Sequence, residues 1–330
     1  MGSSTDRTVS PAFAAALQAV APLDGFVSFE QFMDLALYDP TCGYYTTDRP
    51  RVGQDRATDF YTASSLGPIF GELVTAVVRT QLGSRNPADY TFIELGAEDG
   101  RSVLDDVAHP FRALKRVGIH DALTLSGPCV VFSNELFDAQ PCARFIRADD
   151  GWLERGVMLD DGQVKEVSRP AAATIALPAA AATGYQLDWP FRAAALAKEI
   201  ADHPWHGLFV AFDYGKSARE LTQECPHGTV RAYHRHRQVT DVLASPGAQD
   251  LTCHICWDDL SAALHNAGFK VDPVLSQEAF FVKNAARALA EIMQSEAHGL
   301  SARKSGLMQL LHPSALGQKF QALTAWRDVC

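Results

Sequence analysis

Between Tyr90 and Gly215 the chain alternates short apolar runs with helical patterns. The runs "TFIEL" (91–95), "CVVFSN" (129–134) and "GLFVAFDYG" (207–215) are rich in β-formers, and each ends at a polar or glycine-containing turn. The spacing predicts a further strand over 114–119 and helices over 101–109 and 190–202. Strands that alternate with helices and are apolar along their length predict an α/β fold around a buried parallel sheet, with ligands at the strands' carboxyl ends.

Upstream, Phe29, Phe32, Met33, Ala36 and Leu37 repeat at helical spacing behind Ser28, with Gln31 placed to close a capping box. That helix stops at Asp39-Pro40, and 41–60 reads as a loop rich in Gly, Tyr, Thr and Arg. A second helix is expected after Gly67-Pro68, on Phe70, Leu73, Val74, Val77 and Val78. Downstream, "WDDLSAALHNAG" reads as an amphipathic helix, and "FKVDPVLSQEAFFV" as a closing antiparallel hairpin. The weakly patterned stretch 145–190 reads as an insertion with a hairpin at Asp161-Gly162, and 281–330 as helical. The expected organisation is a helical lead-in and lid over 1–85, a Rossmann-like core over 86–285 with the insertion, and a helical extension over 286–330.

Composition narrows the function. A hydrophobic content of 47% in 330 residues provides for a large core, while a net charge of −10 argues against a broad grip on nucleic acid. No apolar run approaches the ~20 residues that span a bilayer. The opening MGSSTDRTVSP lacks the basic and apolar segments of a signal peptide. Seven scattered cysteines suit reduced thiols, so the expected location is cytoplasmic.

The candidate chemistry sits at the strand ends. "FIELGAEDG" supplies Glu94, Gly96 and Gly100 around Glu98 and Asp99. Glycines let backbone pass close to a ligand, but two carboxylates repel a pyrophosphate, and the G-x-G-x-x-G and G-K-[ST] spacings are missing. A ligand carrying a cation and no phosphate fits better, and S-adenosyl-L-methionine answers that description; a tight turn without a ligand is the alternative. Asp121 follows the next strand, where a carboxylate can accept from an adenine amino group. Asn134, Glu135 and Asp138 follow the third run, and Asp213 and Tyr214 the fourth. Caps and turn-formers explain each cluster singly, but four in succession suit a binding site better. Cys225, His227, His234, His236, Cys253 and Cys256 invite a zinc reading, but no second C-x-x-C follows and no metal is expected.

From about residue 26 to 325 the chain resembles the MidA-type class I methyltransferases, a family that includes a mitochondrial protein arginine methyltransferase. "FVSFEQFMDLALYDPTCGYY" resembles the family's opening helix and tyrosine pair, and "TDFYTASSLGPIFGELV" its G-D-F-x-T-[AS]-x-x-x-x-x-F-G-E signature. "ELGAEDG" stands where the family has E-x-G-x-G-x-G, and "SNELFDAQP" resembles N-E-x-x-D-A-x-P. "GTVRAYHRHR" and "PGAQDLTCHICWDDL" resemble two later motifs. The resemblance implies a Rossmann-like class I sheet binding S-adenosyl-L-methionine through Glu94, Gly96, Glu98, Asp99, Gly100 and Asp121. It implies a lid carrying Asp59 and Thr62, with Thr62 and Glu72 near the methionine end. Asn134, Glu135 and Asp138 are the implied catalytic residues, and Asp213, Tyr214, Arg231, Tyr233 and His236 the implied substrate contacts. The implied acceptor is an arginine nitrogen of a partner protein. A homodimer is left open, and neither nucleic acid nor membrane is an expected partner.

Two departures favour a rival reading, a catalytically inactive member acting as an assembly or binding partner. Glu98 stands where the family has glycine, and only 33 residues separate Gly100 from Asn134. A typical methyltransferase fits another strand and helix there, and one βαβ unit alone takes roughly 30 residues.

Overall fold

The computed structural model describes residues 7–47, 66–97, 101–234, 237–296 and 301–329. The chain divides into two compact units, each assembled from three segments. The first takes the described residues of Met1–Tyr61, Phe137–Ala194 and Lys216–Asp258, and the second those of Thr62–Leu136, Ala195–Gly215 and Asp259–Cys330.

The second unit holds the central sheet. Its seven strands run in the order Lys270–Val271, Gln321–Arg327, Trp205–Asp213, Gly127–Asn134, Thr91–Leu95, Ala113–Val117, with Leu275–Ser276 also paired to Gln321–Arg327. Thr91–Leu95 lies parallel to both neighbours, Ala113–Val117 on one side and Gly127–Asn134 on the other. The strand order therefore reverses at Thr91–Leu95, the position where open α/β sheets bind ligands. Helix Pro68–Leu82 buries Phe70, Leu73, Val74, Val77 and Val78, as its spacing predicts. Phe70 meets Phe212 edge-on at 5.5 Å, and Phe212 stacks on Phe281 at 5.3 Å. Gly71 has a steric duty, since a Cβ there would lie 2.1 Å from the Val103 carbonyl oxygen.

Three expectations for this unit are corrected. The helix expected over 101–109 is a series of turns, because the Glu94 carboxylate gathers Ser102 and the Val103 N–H in place of helical bonding. The hairpin expected in "FKVDPVLSQEAFFV" does not form. Lys270–Val271 and Leu275–Ser276 each pair with Gln321–Arg327, and Ser276 then caps helix Gln277–Asn284. The C-terminal stretch contains the expected helices, Ala286–Ser295 and Ala302–Leu311, but Gln321–Arg327 is an interior strand antiparallel to Trp205–Asp213.

The first unit contains a five-stranded antiparallel sheet of Val27–Ser28, Gly151–Asp160, Ala143–Ala148, Gln186–Trp189 and Gln163–Pro170. The hairpin expected at Asp161-Gly162 is present, and both residues adopt positive φ, 46° and 70°, as a tight primed turn requires. Helix Phe29–Tyr38 starts with the Ser28–Gln31 capping box and buries the five apolar residues that predict it. The family's tyrosine pair anchors the chain that follows: Tyr45 stacks on Tyr38 and donates to Asp250 at 2.9 Å. No described helix is long and apolar enough to cross a membrane.

Candidate active site

In the second unit the polar strand ends line up on adjacent strands. The register sets Leu95 opposite Ser133 and Ser133 opposite Ala211, so Gly96, Asn134 and the end of Trp205–Asp213 share one edge. Gly96 turns the chain with φ 74°, and a Cβ there would sit 3.0 Å from Leu136 Cδ1. The result is one exposed glycine, bare of side chain, at the switch point. Glu98, Asp99 and Gly100 lie outside the described residues, as do Asp59, Thr62 and His236.

Glu94 points into its own loop. Its carboxylate, 8% exposed, accepts from Ser102 Oγ and from Val103 N at 2.9 Å. Burial pushes its pKa up to about 7 against those two stabilising bonds. Glu72 is held by Arg303.

Asp121 accepts from Gly118 N at 2.8 Å and is exposed. The strand before it pairs directly with Thr91–Leu95, so Asp121 stands one strand over from the glycine turn. In dinucleotide-binding sheets that neighbourhood carries the acidic residue for the ribose hydroxyls.

The strongest local signal is at 134–135. Glu135 adopts φ 54°, in the left-handed region, while its N–H donates to Phe212 O at 3.0 Å. Asn134 Nδ2 donates to Glu135 Oε1 at 3.0 Å, and Asn134 Oδ1 is buried without a hydrogen-bond partner. A non-glycine residue held at positive φ costs of order 1–3 kcal/mol and persists where the surroundings over-determine it. Beside it, Asp213 is fully buried and accepts from Tyr214 N at 2.8 Å, and the Tyr214 ring lies 4.0 Å from that of Phe320.

The remaining candidates belong to the first unit. Asp138 is buried, and its carbonyl accepts from Cys253 N at 2.8 Å. Arg231 and Tyr233 sit two residues apart on strand Arg231–His234, which pairs with Asp250–Thr252 on one side and Arg237–Val239 on the other. Among the described residues no group of three His, Cys, Asp or Glu side chains is arranged to hold a metal.

Residues 111–274 match a family model described as "Putative S-adenosyl-L-methionine-dependent methyltransferase". The chain is similar to "Protein arginine methyltransferase NDUFAF7, mitochondrial" of Danio rerio, 22% identical over 97% of this chain and 87% of that protein. It is 23% identical to the Mus musculus protein of the same name, over 90% of this chain and 80% of that one. A crystal structure of a Burkholderia thailandensis protein bound to S-adenosyl-homocysteine shares the fold, with a TM-score of 0.79, 24% identity, and coverage of 96% of this chain and 94% of that one. The chain is similar to the MidA-type methyltransferases.

Beyond the candidates named from sequence, several residues position the surroundings of the site. Gly71 of "FGE" is required by the approach of Val103. Asp188 accepts from Arg144 Nε at 2.8 Å, Thr229 N at 2.7 Å and Val230 N at 2.8 Å, fixing the "GTVR" turn to the sheet of the first unit. A charged residue inside the strand-like run "QLDW" was the available clue. Ser102 and Val103 were masked by their helical spacing.

Proposed function

We propose that this chain transfers a methyl group from S-adenosyl-L-methionine to an arginine nitrogen of a protein substrate. The observation that carries the reading is the Asn134–Glu135 pair: a strained glutamate beside a buried, unpartnered carbonyl oxygen, next to the bare Gly96 turn. The donor set suits the cofactor. Carboxylates and an amide oxygen accept from an ammonium group and from ribose hydroxyls, and Gly96 leaves backbone exposed for close approach.

S-adenosyl-L-methionine supplies, when bound, an electrophilic methyl on a sulfonium. Gly96 and Asp121 would hold it, Asp121 serving the ribose in place of the adenine expected from sequence. Asn134 Oδ1 offers the acceptor that its burial leaves unmatched. The Glu135 carboxylate orients a guanidinium, whose planar fork matches it, and takes up the proton released from the attacking nitrogen. The protein arginine methyltransferase relatives support the choice of acceptor. We place the chain in the cytoplasm, where scattered cysteines stay reduced.

Incubating the full chain with methyl-labelled cofactor and cell extract, then hydrolysing labelled bands, should yield methylarginine, and Glu135→Gln should abolish the label. Label found only on small molecules, or on another amino acid, overturns the acceptor. One observation favours the inactive reading: turns replace the helix over 101–109 whose N-terminus would face the cofactor. No cofactor binding by calorimetry, together with no label, would establish that reading instead.

A further inference from the structure

The first unit carries an open pocket of about 350 Å³ whose lining is rich in guanidinium groups. Arg7, Arg144, Arg155 and Arg231 line it, opposed within the lining by Glu166 and Asp241. This concentration of cations stands out in a chain of net charge −10. Three of the four arginines have their own carboxylate. Arg7 grips Asp241 through two bonds of 2.7 and 3.1 Å, Arg155 pairs with Glu166, and Arg144 pairs with Asp188 behind the wall.

Arg231 differs. Among the described residues its guanidinium meets only backbone, donating through NH1 to Val230 O at 2.8 Å and Gly228 O at 3.4 Å. Those bonds aim the side chain without neutralising it. Its position is well determined, because Asp188 fixes the preceding turn through the Thr229 and Val230 amides. A second pocket arginine also has an unused donor, since Arg155 Nε is buried without a hydrogen-bond partner. A buried donor on a cation is costly to leave unmatched. Val230, Val239, Val242 and Leu243 complete the lining, whose accessible surface is mainly polar. The volume lies within the range of small-molecule sites and is too small for a folded partner.

We infer that this pocket binds a small organic oxyanion, a phosphate or carboxylate on a compact body, held by Arg231 and Arg155. Bidentate guanidinium contacts select a planar or tetrahedral oxyanion over a simple halide. The inference goes beyond the methyl-transfer reading and does not depend on it.

The test uses the full chain without added cofactor. Calorimetric titration with inorganic pyrophosphate and, separately, with citrate distinguishes phosphate from carboxylate as the preferred group; sodium chloride at matched ionic strength controls for screening. At least one probe should bind saturably with a dissociation constant of about 1 mM or tighter. Arg231→Met and Arg155→Gln should each weaken that binding tenfold or more. Arginine labelling of the wild-type protein with phenylglyoxal, read by mass spectrometry, provides a measurement that needs no variant. The bound probe should protect Arg231 while the exposed Arg287 stays reactive. Absence of saturable binding for both probes, unchanged affinity in both variants, or equal protection of Arg231 and Arg287 would overturn the site.

Discussion

Glu94 makes stability depend on pH in a direction opposite to that of most carboxylates. Its side chain is buried, and its pKa rises from 4.5 to about 7 because burial penalises the charged form more than Ser102 and Val103 support it. The folded protein therefore holds the Glu94 proton more tightly than the unfolded chain does. Its contribution is fully present below pH about 4.5 and is lost as pH rises through about 7. At 1.36 kcal/mol per unit, the shift corresponds to about 3 kcal/mol across that window. Glu94→Gln keeps the shape, and its carbonyl can still accept from Val103 N, but the amide does not titrate. Urea unfolding of wild type and variant, followed by tryptophan fluorescence at pH 5, 6, 7 and 8, should show the variant gaining on wild type by about 2–3 kcal/mol as pH rises. A difference that stays constant with pH, or grows in favour of wild type, would refute the reasoning.

Other substitutions test other parts of the argument. Gly71→Ala should cost about 2–3 kcal/mol in chemical denaturation, because its Cβ would meet the Val103 carbonyl oxygen at 2.1 Å; a neutral result would mean that the 101–107 turns yield freely. Glu135→Gly should leave the thermal midpoint within a few degrees of wild type, since glycine relieves the φ of 54°, while eliminating transfer of labelled methyl. A large fall in the midpoint would instead mark Glu135 as structural. Asp188→Ala should cost about 3–5 kcal/mol by stranding the buried Arg144 and two backbone donors, and a loss below about 1 kcal/mol would contradict that account.

The elements legible in the sequence were those whose local code agrees with their packing. Helix Phe29–Tyr38 announces itself by a capping box and a single apolar face, and both are realised. The strand ends at Gly96, Asn134 and Asp213 were legible because a buried parallel strand must stop where polar residues begin. Gln321–Arg327 was not legible. Its Ala322, Leu323, Thr324 and Ala325 are buried on both faces, so the run shows no alternation, and its alanine and leucine favour helix. Only pairing with Trp205–Asp213, more than a hundred residues away, makes it a strand. The 101–109 segment failed for another reason: one carboxylate outcompetes helical bonding for Ser102 and Val103. The Glu135 backbone geometry carries no signature in residue type.

The position of Gln321–Arg327 has a consequence for how the molecule is made. This strand fills an interior slot, with Trp205–Asp213 on one side and the short strands Lys270–Val271 and Leu275–Ser276 on the other. During synthesis the edge of Trp205–Asp213 waits unpaired while more than a hundred further residues are added before Gln321–Arg327 is made. An open, apolar strand edge of this kind is a template for pairing with other nascent chains. Closure of the sheet therefore lags well behind synthesis of its central strands. It places the newborn protein among those for which a chaperone's hold on an exposed edge, until the late strand arrives, governs the yield of folded molecules.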